Sequence, residues 1–270
     1  MRYLKLTIAY DGTDYVGWQI QQNGISVQQR LEEAWTKVTS ETIRITASGR
    51  TDSGVHARGQ VCSLSTESEL SCKGILRALN AETPFDISVV KVEEAYEGFH
   101  AIRDAIQKTY HYHVQYGRVL DPLRLRTCWF VPGEIDVTEL RRAAVHLAGE
   151  HDFASFESAG AQRTSTVRNV LDLTIDEECH NGFPGLVIKI TANGFLYNMV
   201  RSIVGTLIRV GKKTNEADWV AWVRDQKDRQ CAGQTAPAHA LILDHVVYPT
   251  HQENQTKSES SESNDRKGEN

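Results

Sequence analysis

The sequence predicts an α+β fold made of two ferredoxin-like halves, each of order βαββαβ. Together they form one extended, mostly antiparallel sheet with helices on one face and a central cleft. Two observations predict it. Apolar residues recur with period two in short runs and with helical period between them. The order of the two kinds of run is the same in residues 1–105 and in residues 106–250, although no residue-level repeat relates the halves. Helices on one face leave the other face to a partner, and two units side by side leave a cleft where a site usually lies.

In the first half, Leu4, Leu6, Ile8 and Tyr10 alternate with more polar positions, as in a half-buried strand. Ser26 and Gln29 then stand in capping-box register before Val27, Leu31, Trp35 and Val38, which share one helical face. Ile43, Ile45 and Ala47 mark a strand, Val61 to Leu64 its hairpin partner, Leu70, Leu76 and Leu79 a second helix, and Ile87, Val89 and Val92 a closing strand. In the second half, Tyr110, Tyr112, Val114 and Tyr116 alternate with His111, His113 and Gln115, and a helix carries Leu140, Ala144 and Leu147. Leu171, Leu173 and Ile175 form a strand, GLVIKITA another, FLYNMVRSIVGTLIRVG an apolar helix, DWVAWVRD an added one and LILDHVVYP the last strand. After Pro249 hydrophobic residues vanish, so residues 251–270 read as a disordered polar tail.

The 270 residues are 40% hydrophobic and 24% charged, the balance of a soluble globular protein. The five cysteines have no CxxC spacing, which speaks against a disulfide framework or a zinc site. No run is long enough for a membrane span or a secretory apolar core, so a cytoplasmic address is expected. The net charge is −5, of which the tail carries −2. That sum speaks against wholesale nucleic-acid binding, yet basic clusters occur at Arg103 and Lys108, at Arg163 and Arg168, and from Arg201 to Lys213.

The run GRTDSGVHA, Gly49 to Ala57, holds Asp52 on the hairpin connection. Asp-Ser-Gly alone is ordinary turn chemistry, because Asp bonds nearby backbone and Gly accepts positive φ. By residue type, shaping the turn and reacting are both open to Asp52. The wider pattern comprises YDGTDYVGWQ before this run and FHA, KTYHYHV, HDFASF, NGFLYNMVRSIVGTL and QTAPAHAL after it. It resembles the tRNA pseudouridine synthase A family from about Tyr10 to Pro249.

The resemblance implies a homodimeric, cytoplasmic enzyme that isomerises uridine to pseudouridine on the 3′ side of the tRNA anticodon arm, with Asp52 as the catalytic aspartate. The reaction breaks the N1–C1′ bond, turns the uracil and bonds C5 to the same sugar carbon. It needs no redox cofactor and no metal, and an ionised carboxylate can engage the nucleoside covalently, as in retaining glycosidases. By resemblance, Arg201 stands against Asp52 and holds it ionised, with Arg50 the second candidate for that cation, Tyr110 stacks on the flipped uracil and moves the C5 proton, and Leu241 closes the pocket. Arg50, His100, Arg103, Gln162, Arg163, Thr164 and Arg168 match parts that hold the tRNA backbone, contacts that fix register without reading sequence.

Two positions depart from the family pattern. Where the family commonly reads FHAR, this chain reads FHAIR, with Ile102 at the arginine position and Arg103 one place later; Ala240 stands where Gly is common before Leu241. His111, His113, His146 and His151 have no HExxH spacing and read as surface or stacking residues. The rival functional classes are a catalytically silent RNA-binding module that uses the sheet as a stacking platform, and a synthase for other RNA uridines.

Overall fold

The structure, a computed structural model, describes residues 1–160 and 164–249. Gln162, Arg163 and the expected tail lie outside them. The first half comprises β1 (Arg2–Tyr10), α1 (Val27–Thr39), β2 (Thr46–Ala47), β3 (His56–Thr66), α2 (Cys72–Glu82) and β4 (Ile87–Ala95). The second comprises β5 (Gln107–Gly117), β6 (Trp129–Pro132), α3 (Val137–Val145), β7 (Gly149–Asp152), β8 (Val167–His180), β9 (Phe183–Ala192), α4 (Met199–Gly211), α5 (Trp219–Gln226) and β10 (Leu241–Val247).

All ten strands join one sheet in the order β4-β1-β3-β10-β5-β9-β8-β7, with β2 beside β3 and β6 beside β5. Pairing is antiparallel except for β10 with β3 and β5 with β6. The last strand therefore joins the halves. Because β10 runs parallel to β3, with Ile242 opposite His56, the starts of both strands lie at the same end of the sheet. Leu241 also lies opposite Tyr112 of antiparallel β5, which brings that strand to the same place.

Alternation decides which face is covered. Leu4, Leu6 and Ile8 are fully buried, each gaining about 1.5–3 kcal/mol over exposure. They belong to one continuous core with Leu31 and Trp35 of α1, Leu79 of α2, Leu140 of α3, Ile203 of α4 and Val220 of α5. Ser26 caps α1 by accepting a 3.2 Å bond from the Gln29 amide, and Ser40 ends it in the left-handed region.

Some expected core positions are not core. Leu171 falls at a register shift in β8, where one extra residue inverts the alternation; it is exposed while Val170 turns inward, and a like shift in β4 leaves Val90 exposed between the expected and buried Val89 and Val92. Leu70 precedes the α2 cap Ser71 and is exposed. The expected strand at Ile43 forms only at Thr46–Ala47. The apolar run FLYN stays outside α4 because Asn198 takes φ 61° and starts the helix one residue later. Strands β6 and β7, four residues each, carry WFVP and GEHD, which are too short to show an alternation.

His111 and His113 are not surface residues. His111 sits 3.4 Å from Asp244, and His113 lies 3.7 Å from Glu178, which also pairs with Arg124 at 2.6 Å.

Candidate active site

The loop before β3 is held by backbone and by its neighbours. Gly54 takes φ 78°, and the Val55 amide donates to the Asp52 carbonyl at 3.1 Å, closing the turn. The Trp18 amide donates to the Thr51 carbonyl at 3.0 Å, and the Ser53 hydroxyl to the Tyr15 carbonyl at 3.0 Å. Gly17 bridges Asp52 and has φ 108°; a Cβ there would lie 2.7 Å from the Thr51 carbonyl oxygen. Only glycine permits that approach. The Asp52 carboxylate takes no part in the turn, and its one polar neighbour among the described residues is Arg201, whose Nη1 lies 3.5 Å from Oδ2.

Arg201 is presented by the first turn of α4. Its Nε donates to the Ala236 carbonyl and its Nη1 to Asn198 Oδ1, each at 2.7 Å, so the guanidinium plane is set before any substrate arrives. The segment carrying Ala236 lies against α4 because Gly205 has no side chain; a Cβ there would meet the Gln234 carbonyl oxygen at 1.8 Å. Burial pushes the Asp52 carboxyl above the usual aspartate value, further than the opposing charge and hydrogen bond of Arg201 bring it down. Asp52 is thus a stronger base and nucleophile than a solvated aspartate.

Asp52 and Arg201 open into a cleft of ≈ 1180 Å³ that Tyr110 and Leu241 also line. The Tyr110 ring meets Phe195 edge to face, with centroids 5.1 Å apart, which fixes its plane. Burial, with Tyr10 and Asp52 nearby, raises the Tyr110 hydroxyl well above its ordinary value, so it remains protonated. Tyr112 is fully buried, with its hydroxyl donating to the Pro237 carbonyl at 2.8 Å, and belongs to the core as its alternation indicates.

The residues expected to hold RNA separate into two groups. Arg50 is exposed and lines the cleft, as does Arg168, while Thr164 is exposed nearby in sequence. Arg103 instead pairs with Asp104 at 2.8 Å and donates to the Gly98 carbonyl at 2.6 Å. His100 spends Nδ1 on the amides of Ile102 and Arg103. Ile102, at the departure from the family pattern, lines the cleft itself. Sequence reasoning did not single out Gly17, Phe195 or Asn198, and it named Lys108 only as part of a basic cluster. Lys108, which lines the cleft, donates to the Ser48 carbonyl at 2.5 Å. All four lie within or beside the quoted motifs, but their roles depend on contacts distant in sequence.

Among the described residues no group of three His, Cys, Asp or Glu side chains is arranged to hold a metal, and no helix is long and apolar enough to cross a membrane. A carboxylate that does not shape its own turn thus faces an arginine in a cleft that Tyr110 and Phe195 also line, an arrangement with room for a planar group beside an acid.

The comparisons make the class specific. The family described as tRNA pseudouridine synthase matches residues 6–102 and 143–249. Similar proteins include the tRNA pseudouridine synthase A of Pelobacter propionicus, 42% identical over 248 residues, 92% of this chain and 100% of that one. That of Roseiflexus castenholzii is 45% identical over 249 residues, 92% of each chain. That of Listeria monocytogenes is 40% identical over 250 residues, 92% of this chain and 100% of the other. The chain belongs to the tRNA pseudouridine synthase family.

Proposed function

We propose that the protein isomerises uridine to pseudouridine in the anticodon stem-loop of tRNA, with Asp52 as the nucleophile that engages the flipped-out nucleoside while the base turns. The observation that carries this reading is the Asp52 carboxylate, free of its own turn and 3.5 Å from a pre-set Arg201. Flipping costs a few kcal/mol, and stacking on Tyr110 recovers about 1–3 kcal/mol of it. Leu241 closes the other side of the pocket. Once C5 is bonded to C1′ its proton must leave, and the protonated Tyr110 hydroxyl relays it to water. Arg50, Thr164 and Arg168 hold phosphates, as do Gln162 and Arg163, which lie outside the described residues; His100 and Arg103 act through the shape of their loop.

The reading divides the chain at residue 105 into a half that brings Asp52 and a half that brings Tyr110, Arg201 and Leu241. It includes a cytoplasmic homodimer that shares one tRNA, supported by the modest charge per chain and by five cysteines, none in a disulfide; sedimentation at micromolar concentration tests the dimer. Tritium release from tRNA carrying [5-³H]uridine tests the chemistry. Wild type should release tritium and Asp52→Asn almost none, with tRNA affinity kept. Equal release by both removes Asp52 from the mechanism. Tyr110→Phe should bind normally and lose turnover; unchanged turnover reduces Tyr110 to a platform.

A further inference from the structure

A second cavity, of ≈ 420 Å³, adjoins the first. The two share Arg50, Thr51 and Asp52, together with Gln21 and Tyr197. Tyr197 is 42% exposed and Ile20 is 37% exposed, large apolar side chains left uncovered beside the reacting carboxylate. The backbone beneath Tyr197 is fixed, because its carbonyl accepts the Ser158 amide at 3.0 Å and the next residue, Asn198, is held by Ser158 and Arg201.

Apart from the shared Arg50, Thr51 and Asp52 and from Ser53, whose hydroxyl is given to the Tyr15 carbonyl, the polar side chains of this second lobe are carboxamides, from Gln19, Gln21 and Asn23, all exposed. Gln21 donates to the Val16 carbonyl, whereas Gln19 and Asn23 have no side-chain partner among the described residues. Its single cation, Arg50, stands where the cavities meet and is in no ion pair among the described residues. Neutral amide donors and acceptors beside an aromatic face suit the edge and the face of a nucleobase, whereas phosphate would demand more positive charge.

We infer that this lobe is a second base-binding subsite, which takes the nucleotide adjoining the target uridine on the face of Tyr197 with the linking phosphate at Arg50. The inference rests on the reading that the Asp52 cleft receives the target uridine. Consecutive nucleotides are joined by one phosphate, and Arg50, the only cation among the described residues that lines both cavities, is placed at their junction. The protein thereby selects a uridine by capturing its neighbour as well.

The test is a coupling measurement with labelled anticodon stem-loop RNA, either intact or with an abasic ribose directly 5′ or directly 3′ of the target uridine. Fluorescence anisotropy gives Kd for wild type, Tyr197→Ala and Tyr197→Phe. One abasic RNA should bind wild type about tenfold more weakly than intact RNA. That loss should disappear in Tyr197→Ala and persist in Tyr197→Phe. Gln19→Ala, at an exposed side chain that leaves the core untouched, should weaken the intact RNA and not that abasic one. An abasic penalty of the same size in wild type and Tyr197→Ala, for both flanks, overturns the subsite. Tritium release measured on the same samples separates the two claims. Release without coupling removes the subsite and leaves the isomerisation standing; coupling without release does the reverse.

Discussion

Gly17→Ala tests whether the Asp52 carboxylate is placed by a glycine 35 positions earlier in the chain. The new Cβ would lie 2.7 Å from the Thr51 carbonyl oxygen and 3.1 Å from both the Asp52 carbonyl carbon and the Ser53 nitrogen. Ordinary contact requires the Asp52 loop to retreat by roughly 0.5 Å. Overpacking costs about 1–3 kcal/mol, and alanine at a φ of 108° about 1–3 kcal/mol more. A total of about 2–6 kcal/mol, about 4 at the middle of the range, lowers Tm by about 8–16 °C at that middle value in a chain of this size. Since a 1 Å misplacement can cost about 100-fold, half of that predicts a kcat about tenfold lower.

Gly182→Ala is the control. It has φ 87° and nothing within 4 Å of its Cβ, in the turn between β8 and β9, so it carries the backbone strain without the clash. Its Tm should fall less and its kcat should not change. Thermal unfolding and tritium release are run on both variants. A folded Gly17→Ala protein with kcat within about twofold of wild type would refute the claim that this contact places Asp52.

Three further outcomes follow from charge and burial. Arg201→Met removes the charge and hydrogen bond that lower the Asp52 carboxyl, so the acid limb of kcat/KM should move to higher pH, with Arg201→Lys moving it less; a pH profile of tritium release checks this. Because the folded protein raises that carboxyl, wild type gives up stability as pH rises through the carboxylate range and Asp52→Asn does not. The variant's Tm should therefore equal or exceed wild type near neutral pH, the gap closing on acidification. Burial pushes His113 down to about 4, and neither ring nitrogen has a hydrogen-bond partner among the described residues. The unfolded imidazole takes its proton near pH 6.5, so stability is lost as pH falls from there towards 4; His113→Leu should flatten that loss in urea titrations at the two ends of the window.

Much of this was legible in the residues because it is local. The Ser26 cap, the alternation in β1 and β5 and the turn at Gly54 depend on neighbours within a few positions, and side-chain period follows from backbone geometry alone. The motif around Asp52 pointed by resemblance to Arg201, Tyr110 and Leu241, and all four line one cleft.

Where the alternation changes phase, at Val90 and Leu171, a bulge supplies the cause, and periodicity cannot show one because the partner strand decides which residue is left over. The same limit hid the role of Gly17, whose meaning is a distance to Thr51, and the fate of Arg103, which Asp104 and Gly98 claim. Whether Asp52 shapes its turn or faces the cleft was likewise open in the residue types. The sheet decided it: with β10 inserted between β3 and β5, the starts of β3 and β10 meet beside the middle of β5, and the backbone amide of Val55 closes the turn while the carboxylate meets Arg201. The residues carry local propensity and chemical type; which group stands free to react is settled by contacts between segments far apart in the chain, and these exist only once the sheet has formed.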